Sequence, residues 1–220
     1  MRTVVFDLDG TLADTSADLI AAANHCFDLL GMGAPLDHDT DAATAFAGGR
    51  AMLRLGFSRR GGGDEQAVNA QYPVLLAAYA EAIDTHTRLY PGAVAAVEAL
   101  RTEGHATAIC TNKPEGLAET LTRRLGIRDL FGALVGADTL ATRKPDPAPY
   151  AESVRRVDGT VARSLLIGDT VTDRDTARAA GVPIVLVTFG PEGAGIARLA
   201  PDALLHHFDD LPALVDRLLA

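Results

Sequence analysis

Tryptophan is absent from this chain, and only two cysteines, three methionines and 5% aromatic residues occur among its 220 positions. Cys26 and Cys110 are too few for a disulfide framework. The first lies in a helical pattern and the second in an apolar run, so both read as buried thiols in a reducing compartment. No uncharged apolar run approaches the ~20 residues of a membrane span. A strand that starts at Thr3 leaves no place for a signal peptide, and the expected location is the cytoplasm. Basic residues are also in deficit: 20 Lys and Arg stand against 29 Asp and Glu, a formal net charge of −9. That balance speaks against nucleic acid and anionic membranes as partners. It leaves room for a small anionic substrate wherever a bound cation or a lysine dominates locally. A monomer or homodimer is expected.

What is present is enough to build a packed core: 48% of residues are hydrophobic and 22% charged. The length fits one domain or one and a half, at roughly 150 residues per domain. Thr3, Val4, Val5 and Phe6 form a short β-branched and apolar run that reads as a buried strand. Asp7 and Asp9 follow at its carboxyl end. Residues two apart in extended chain share a face, so both carboxylates project toward one small volume, where like charges repel unless a cation or a proton relieves them. Gly10 permits a tight turn, and Thr11 offers a hydroxyl to cap the segment after it.

The next stretch reads as entirely helical. Leu19, Ile20, Ala23, Phe27 and Leu30 form one stripe; a second helical piece covers about 39–47 and ends at Gly48-Gly49; another begins near Arg50. After the flexible Gly61-Gly62-Gly63, the residues Leu75, Ala78, Tyr79, Ala82 and Ile83 follow helical spacing. From Tyr90 onward helices alternate with short apolar strands at 106–110, 134–135, 165–167, 184–187 and 203–205, and a helix over 211–219 closes the chain. Within that series 176–180 reads as the helix stopped by Gly181. Alternation of this kind predicts an α/β fold, a doubly wound parallel sheet, with an all-helical insert. The core is expected over 1–14 and 88–220, the insert over 15–87.

Asp7 and Asp9, Thr111 and Asn112, Lys144, and Asp169 with Asp173 all follow predicted strands or lie in the loops after them. In a parallel sheet those loops gather at one edge. Asp169 and Asp173 stand four apart across a helix start, which puts both on one helix face. Asp7, Asp9 and Asp169 make a hard, oxygen-rich set that suits Mg²⁺ with retained waters, and Lys144 adds a fixed cation beside them. Carboxylates, a divalent ion, a lysine and hydroxyl or amide donors together fit phosphoryl transfer, which depends on positioning and charge stabilisation.

The four segments FDLDGTL at 6–12, the strand ending in Thr111-Asn112, Lys144 within RKPDP, and GDTVTD at 168–173 occur in the order found in haloacid dehalogenase superfamily phosphatases. The chain resembles those members that carry a helical cap after the first strand, and the resemblance spans essentially the whole length. It implies Asp7 as the nucleophile that forms an aspartyl-phosphate, and Asp9 as general acid and then base. It implies Mg²⁺ held by Asp7, the backbone carbonyl of Asp9 and Asp169, with Asp173 supporting through water. Thr111, Asn112 and Lys144 are then the phosphate-binding residues.

Within that superfamily the run TLADTSADL, the glycines before Arg50 and LYPGAVAAVEAL at 89–100 resemble bacterial phosphoglycolate phosphatases, which makes 2-phosphoglycolate the expected substrate. Sugar-phosphate phosphatases and β-phosphoglucomutases share these stretches more loosely and stand as alternatives. A catalytically silent binding module is the non-enzymatic alternative, but loss of turnover would be expected to show at Asp7 or Asp9, and both are present. Arg50, at a helix start in the insert, is the candidate for gripping the substrate's carboxylate with paired hydrogen bonds.

Overall fold

The computed structural model describes residues 2–220. The chain divides into two compact units: Asp14–Arg88, and Leu89–Ala220 together with the stretch that ends at Ala13. In chain order the elements are β1 (Thr3–Phe6), β2 (Ala13–Asp14), α1 (Ser16–Leu29), α2 (His38–Phe46), α3 (Gly49–Arg59), α4 (Glu65–Glu81), β3 (Arg88–Leu89) and α5 (Ala93–Thr102). They continue with β4 (Ala106–Cys110), α6 (Glu115–Arg124), β5 (Ala133–Val135), α7 (Ala148–Arg155) and β6 (Ser164–Gly168). The last are α8 (Val171–Ala180), β7 (Ile184–Val187), β8 (Ala203–Leu205) and α9 (Leu211–Leu218). No helix among the described residues is long and apolar enough to cross a membrane.

Six strands form one parallel sheet in the order β5-β4-β1-β6-β7-β8, as the alternating pattern predicted. The sequence steps outward from β1 to β4 and β5 on one side, then from β6 to β7 and β8 on the other. The order therefore reverses at β1, and the crevice outside the carboxyl ends of β4, β1 and β6 is where such sheets hold ligands. β1 is the most enclosed strand: Val4, Val5 and Phe6 have no exposed surface. Val5 lies in register with Ala108 and Leu166, and all three pack with Tyr150 and Val154 of α7 and Ala177 of α8. Strands with both faces covered need apolar residues at every position, which is why they read as unbroken apolar runs rather than alternating ones. Phe6, of the other parity, meets Phe131 edge-on with ring centroids 5.8 Å apart.

The unit Asp14–Arg88 is held by α1, against which α2, α3 and α4 pack. Phe27 and Phe57 meet edge-on at 5.0 Å, and Gly56 leaves the space that the Phe27 ring fills. The Asp18 carboxylate accepts from the backbone N–H groups of His86 and Thr87 and from the Thr87 hydroxyl, tying the end of the unit to its first helix. Arg59 pairs with the buried Asp41 and holds that carboxyl below its ordinary range. α4 starts ten residues before the Leu75 stripe that predicted it, because Asp64 caps it through Ala67 N–H, and it runs through Pro73. Cys26 and Cys110 are both buried free thiols, as expected.

Candidate active site

The ends of four neighbouring strands, β5, β4, β1 and β6, deliver the site. β1 extends one residue past its end, through the Asp7 N–H donating to Ile167 O at 2.9 Å, so Asp7 leaves the sheet between β4 and β6. Its Oδ1 accepts the Leu8 N–H at 2.7 Å and lies 3.1 Å from Lys144 Nζ. Leu8 O then accepts from Leu12 and Ala13, and Gly10 (φ 79°) closes the turn by donating to Ala13 O. That φ is the left-handed region glycine enters without strain. The tight loop turns the Thr11 hydroxyl inward: it donates to Asp169 Oδ1 at 3.0 Å instead of capping a helix.

Asp169 and Asp173 meet by a route different from a shared helix face. α8 begins only at Val171, with Thr170 extended at its N-cap, so Asp169 belongs to the exit from β6. Asp173 is the third residue of the helix and folds back as half of a capping box. Its Oδ2 accepts from Asp169 N, Thr170 N and the Thr170 hydroxyl, and its Oδ1 takes Lys144 Nζ at 2.6 Å. The same polar turn, Val-Thr-Asp-Arg-Asp, hid the first five residues of α8 from a search for apolar periodicity.

Lys144 comes from the loop between β5 and α7, and its side chain is 1% exposed. Burial works against its charge, but Asp173 and Asp7 outweigh burial and hold the ammonium above its ordinary value. Asn112 Nδ2 donates to Lys144 O at 3.0 Å, which fastens this loop to the end of β4. Thr111 continues the β4 ladder through its N–H to Val135 O, and its Oγ1 accepts the Lys113 N–H. Burial pushes the Asp7 carboxyl up to about 6; Lys144 opposes this, while Asp173 and Asp9 act in the same direction as burial. Asp169 is raised well above its ordinary value, by burial first and then by Asp173 and Asp7.

These shifts describe a crowded anionic site. Asp7, Asp169 and Asp173 each offer an oxygen within 4.8 Å of the others'. An all-oxygen donor set whose members repel one another fits a divalent cation, which would relieve that repulsion. Asp9 directs its carboxylate elsewhere: Oδ1 lies 2.8 Å from Lys113 Nζ. Arg50 lies in the other unit, near the start of α3. Its guanidinium stacks on Tyr72, 4.1 Å from the ring centroid, and donates to Asn69 Oδ1.

Residues 4–187 match the family described as haloacid dehalogenase-like hydrolase. The chain belongs to that family. A phosphoglycolate phosphatase of Mesorhizobium japonicum is 37% identical over 218 residues, which span 98% of this chain and 96% of the relative. One of Rhodospirillum rubrum is 38% identical over 225 residues, spanning 99% and 90%. The crystal structure of a predicted phosphoglycolate phosphatase from Haemophilus somnus superposes with a TM-score of 0.85 over 97% of both chains, at 24% identity, which speaks to the fold.

Sequence reasoning missed one residue of this hydrolase site. Lys113 comes directly after Thr111-Asn112, and a charge count could have found it, since four clustered carboxylates with a single lysine leave a large excess of negative charge. Gly168 carries a further consequence. A methyl group there would overlap the Asp173 carboxyl carbon, so Gly168→Ala must displace Asp173 and with it Lys144. Urea unfolding should show a loss of about 1–3 kcal/mol from overpacking. Turnover should fall by up to about 10²-fold through misplacement of the lysine. Gly116→Ala is the control: no atom lies within 4 Å of the added carbon in α6, and the helix should gain about 0.4–1 kcal/mol.

Proposed function

We propose that this phosphoric monoester hydrolase acts in the cytoplasm on 2-phosphoglycolate, with Mg²⁺ as its cation and Asp7 as its nucleophile. The observation that carries the chemistry is the buried Lys144 ammonium 3.1 Å from Asp7 Oδ1, a fixed positive charge beside a carboxylate at a strand end. In this reading an Asp7 oxygen bonds to phosphorus as the bond to the glycolate oxygen breaks. Asp9, as carboxylic acid, gives its proton to that leaving oxygen. The resulting Asp9 carboxylate takes a proton from the water that attacks the aspartyl-phosphate, which restores both side chains and releases phosphate. Lys144, Thr111 and Asn112 hold the transferring group. Asp7, the backbone carbonyl of Asp9 and Asp169 would hold Mg²⁺, with Asp173 supporting through water; the ion supplies charge stabilisation to the phosphoryl oxygens.

The substrate rests on the relatives, which are named phosphoglycolate phosphatases and are 36–38% identical along nearly the whole chain. To Arg50 we assign the substrate's carboxylate. Tyr72 and Asn69 hold its guanidinium in one orientation, which lowers the cost of ordering it on binding. Phosphate release should be measured over about a hundred phosphorylated metabolites, with and without Mg²⁺, a range in which specificity ratios can be ranked. Wild type should favour 2-phosphoglycolate and fall silent in chelator. Arg50→Ala should lose about 10- to 150-fold in kcat/KM for 2-phosphoglycolate and leave p-nitrophenyl phosphate nearly unchanged. A sugar phosphate at the head of the ranking would replace this substrate, and mutase turnover would replace the reaction.

A further inference from the structure

We propose that Lys113 is the positioning residue for Asp9, holding the side chain that handles the leaving-group proton in its working orientation. The inference rests on the phosphatase reading and goes beyond it, since neither the expected motif residues nor the metal cluster includes Lys113.

The backbone of Lys113 is fixed from two directions. Its N–H donates to Thr111 Oγ1 at 3.2 Å, and its carbonyl accepts the Ala137 N–H at 2.9 Å, from the loop after β5. α6 does not start until Glu115, with Pro114 as its N-cap, so the lysine sits in the bend at 112–113 between β4 and that helix. Its side chain is only 3% exposed and ends 2.8 Å from Asp9 Oδ1. Burying a lysine forfeits rotamer freedom and strips water from its ammonium, and a buried ion pair gains little net stability over an apolar one. A lysine held this firmly on one carboxylate therefore acts chiefly to fix where that carboxylate points.

Each carboxylate of the cluster has a cation or hydroxyl beside it, and Asp9 has Lys113. Asp7 and Asp173 are gripped by Lys144, and Asp169 by the Thr11 hydroxyl. Asp9 rises from the turn after Leu8 with 16% of its side chain exposed, against 11% for Asp7 and 0% for Asp173. Lys144 is committed to the other two carboxylates. A proton donor works only within hydrogen-bond reach of the leaving oxygen, so a second side-chain rotamer at Asp9 would be an idle one. The two lysines thus divide the work: Lys144 serves the attacking side and Lys113 the departing side.

The test uses Lys113→Met, Lys113→Arg and each combined with Asp9→Asn, assayed with Mg²⁺ in single-turnover quench flow. Glycolate release from 2-phosphoglycolate is compared with the p-nitrophenolate burst, since a good leaving group needs little protonation. Lys113→Met should slow glycolate release about 10- to 100-fold and the nitrophenolate burst less than about threefold, with KM nearly unchanged. On the Asp9→Asn background the same substitution should change glycolate release by less than about threefold, because both act through one group. Lys113→Arg should recover part of the loss, and it decides the question if Lys113→Met does not fold. Equal loss on both substrates, additive loss with Asp9→Asn, or a rise in KM alone would overturn the positioning role; the last would make Lys113 a substrate-binding group. A wild type that releases phosphate from neither substrate would overturn the phosphatase reading itself, and the proposal with it.

Discussion

Asp7→Asn is expected to lower kcat by about 10³-fold or more while leaving the metal-free protein no less stable than wild type. An amide oxygen is a poor nucleophile, so the first loss follows from chemistry. The second follows from the site's electrostatics. Burial raises the Asp7 carboxyl from 3.8 to about 6 in the folded chain. A raised carboxyl binds its proton more tightly folded than unfolded, so its ionisation costs stability as pH rises from 3.8 through about 6. Asparagine removes that cost. Thermal unfolding in chelator at pH 5 to 8, alongside steady-state turnover, checks both halves. A variant that keeps a tenth of wild-type turnover contradicts the nucleophile assignment; one that unfolds well below wild type at pH 8 contradicts the electrostatic account.

Lys144→Met should produce the largest loss of stability in the molecule. Asp7 and Asp173 would stay buried and face each other without the ammonium that now lies 3.1 and 2.6 Å away, so they either repel as charges or take up a proton at a cost. Breaking one side of such a buried pair costs about 3–5 kcal/mol, measurable as a fall in the urea midpoint. Activity should fall further still, since the cation beside the proposed nucleophile is lost with it. Added Mg²⁺ should return part of the stability, because a divalent ion can take over some of the lysine's charge compensation. Lys144→Arg should fail to rescue: the wider planar guanidinium must replace a point charge that is 1% exposed between two carboxylates. Loss of less than about 1 kcal/mol in Lys144→Met, in the range of an exposed ion pair, would contradict the bridge.

The parts of the fold legible in the sequence were those whose signal is local. Thr3–Phe6 and Leu165–Ile167 read as strands because both sheet faces are covered, leaving apolar residues at successive positions. The parallel sheet followed from alternation of such runs with helical stripes. What escaped was set by polar or distant groups. The first turn of α8 carries no apolar stripe and is nucleated by Thr170 and Asp173 capping each other. α4 begins at a cap, Asp64, rather than at its apolar stripe. In the site, residue types and their place at strand ends were legible, and partners were not. Thr11 reads as a cap and instead serves Asp169 across 158 positions. Lys113 and Asp9 stand more than a hundred positions apart, and only the pairing of β1 with β4 brings their loops together.

The most direct measurement is the capture of the intermediate on Asp7. Enzyme, Mg²⁺ and 2-phosphoglycolate are mixed for milliseconds, quenched in acid, reduced with borohydride and digested for mass spectrometry. Borohydride reduces an acyl phosphate to the alcohol, so an aspartyl-phosphate becomes homoserine at that position. The account predicts homoserine at position 7, dependent on both substrate and Mg²⁺, and absent from Asp7→Asn. Full turnover with Asp7 unmodified at every quench time, or homoserine at 9, 169 or 173 in its place, would contradict it.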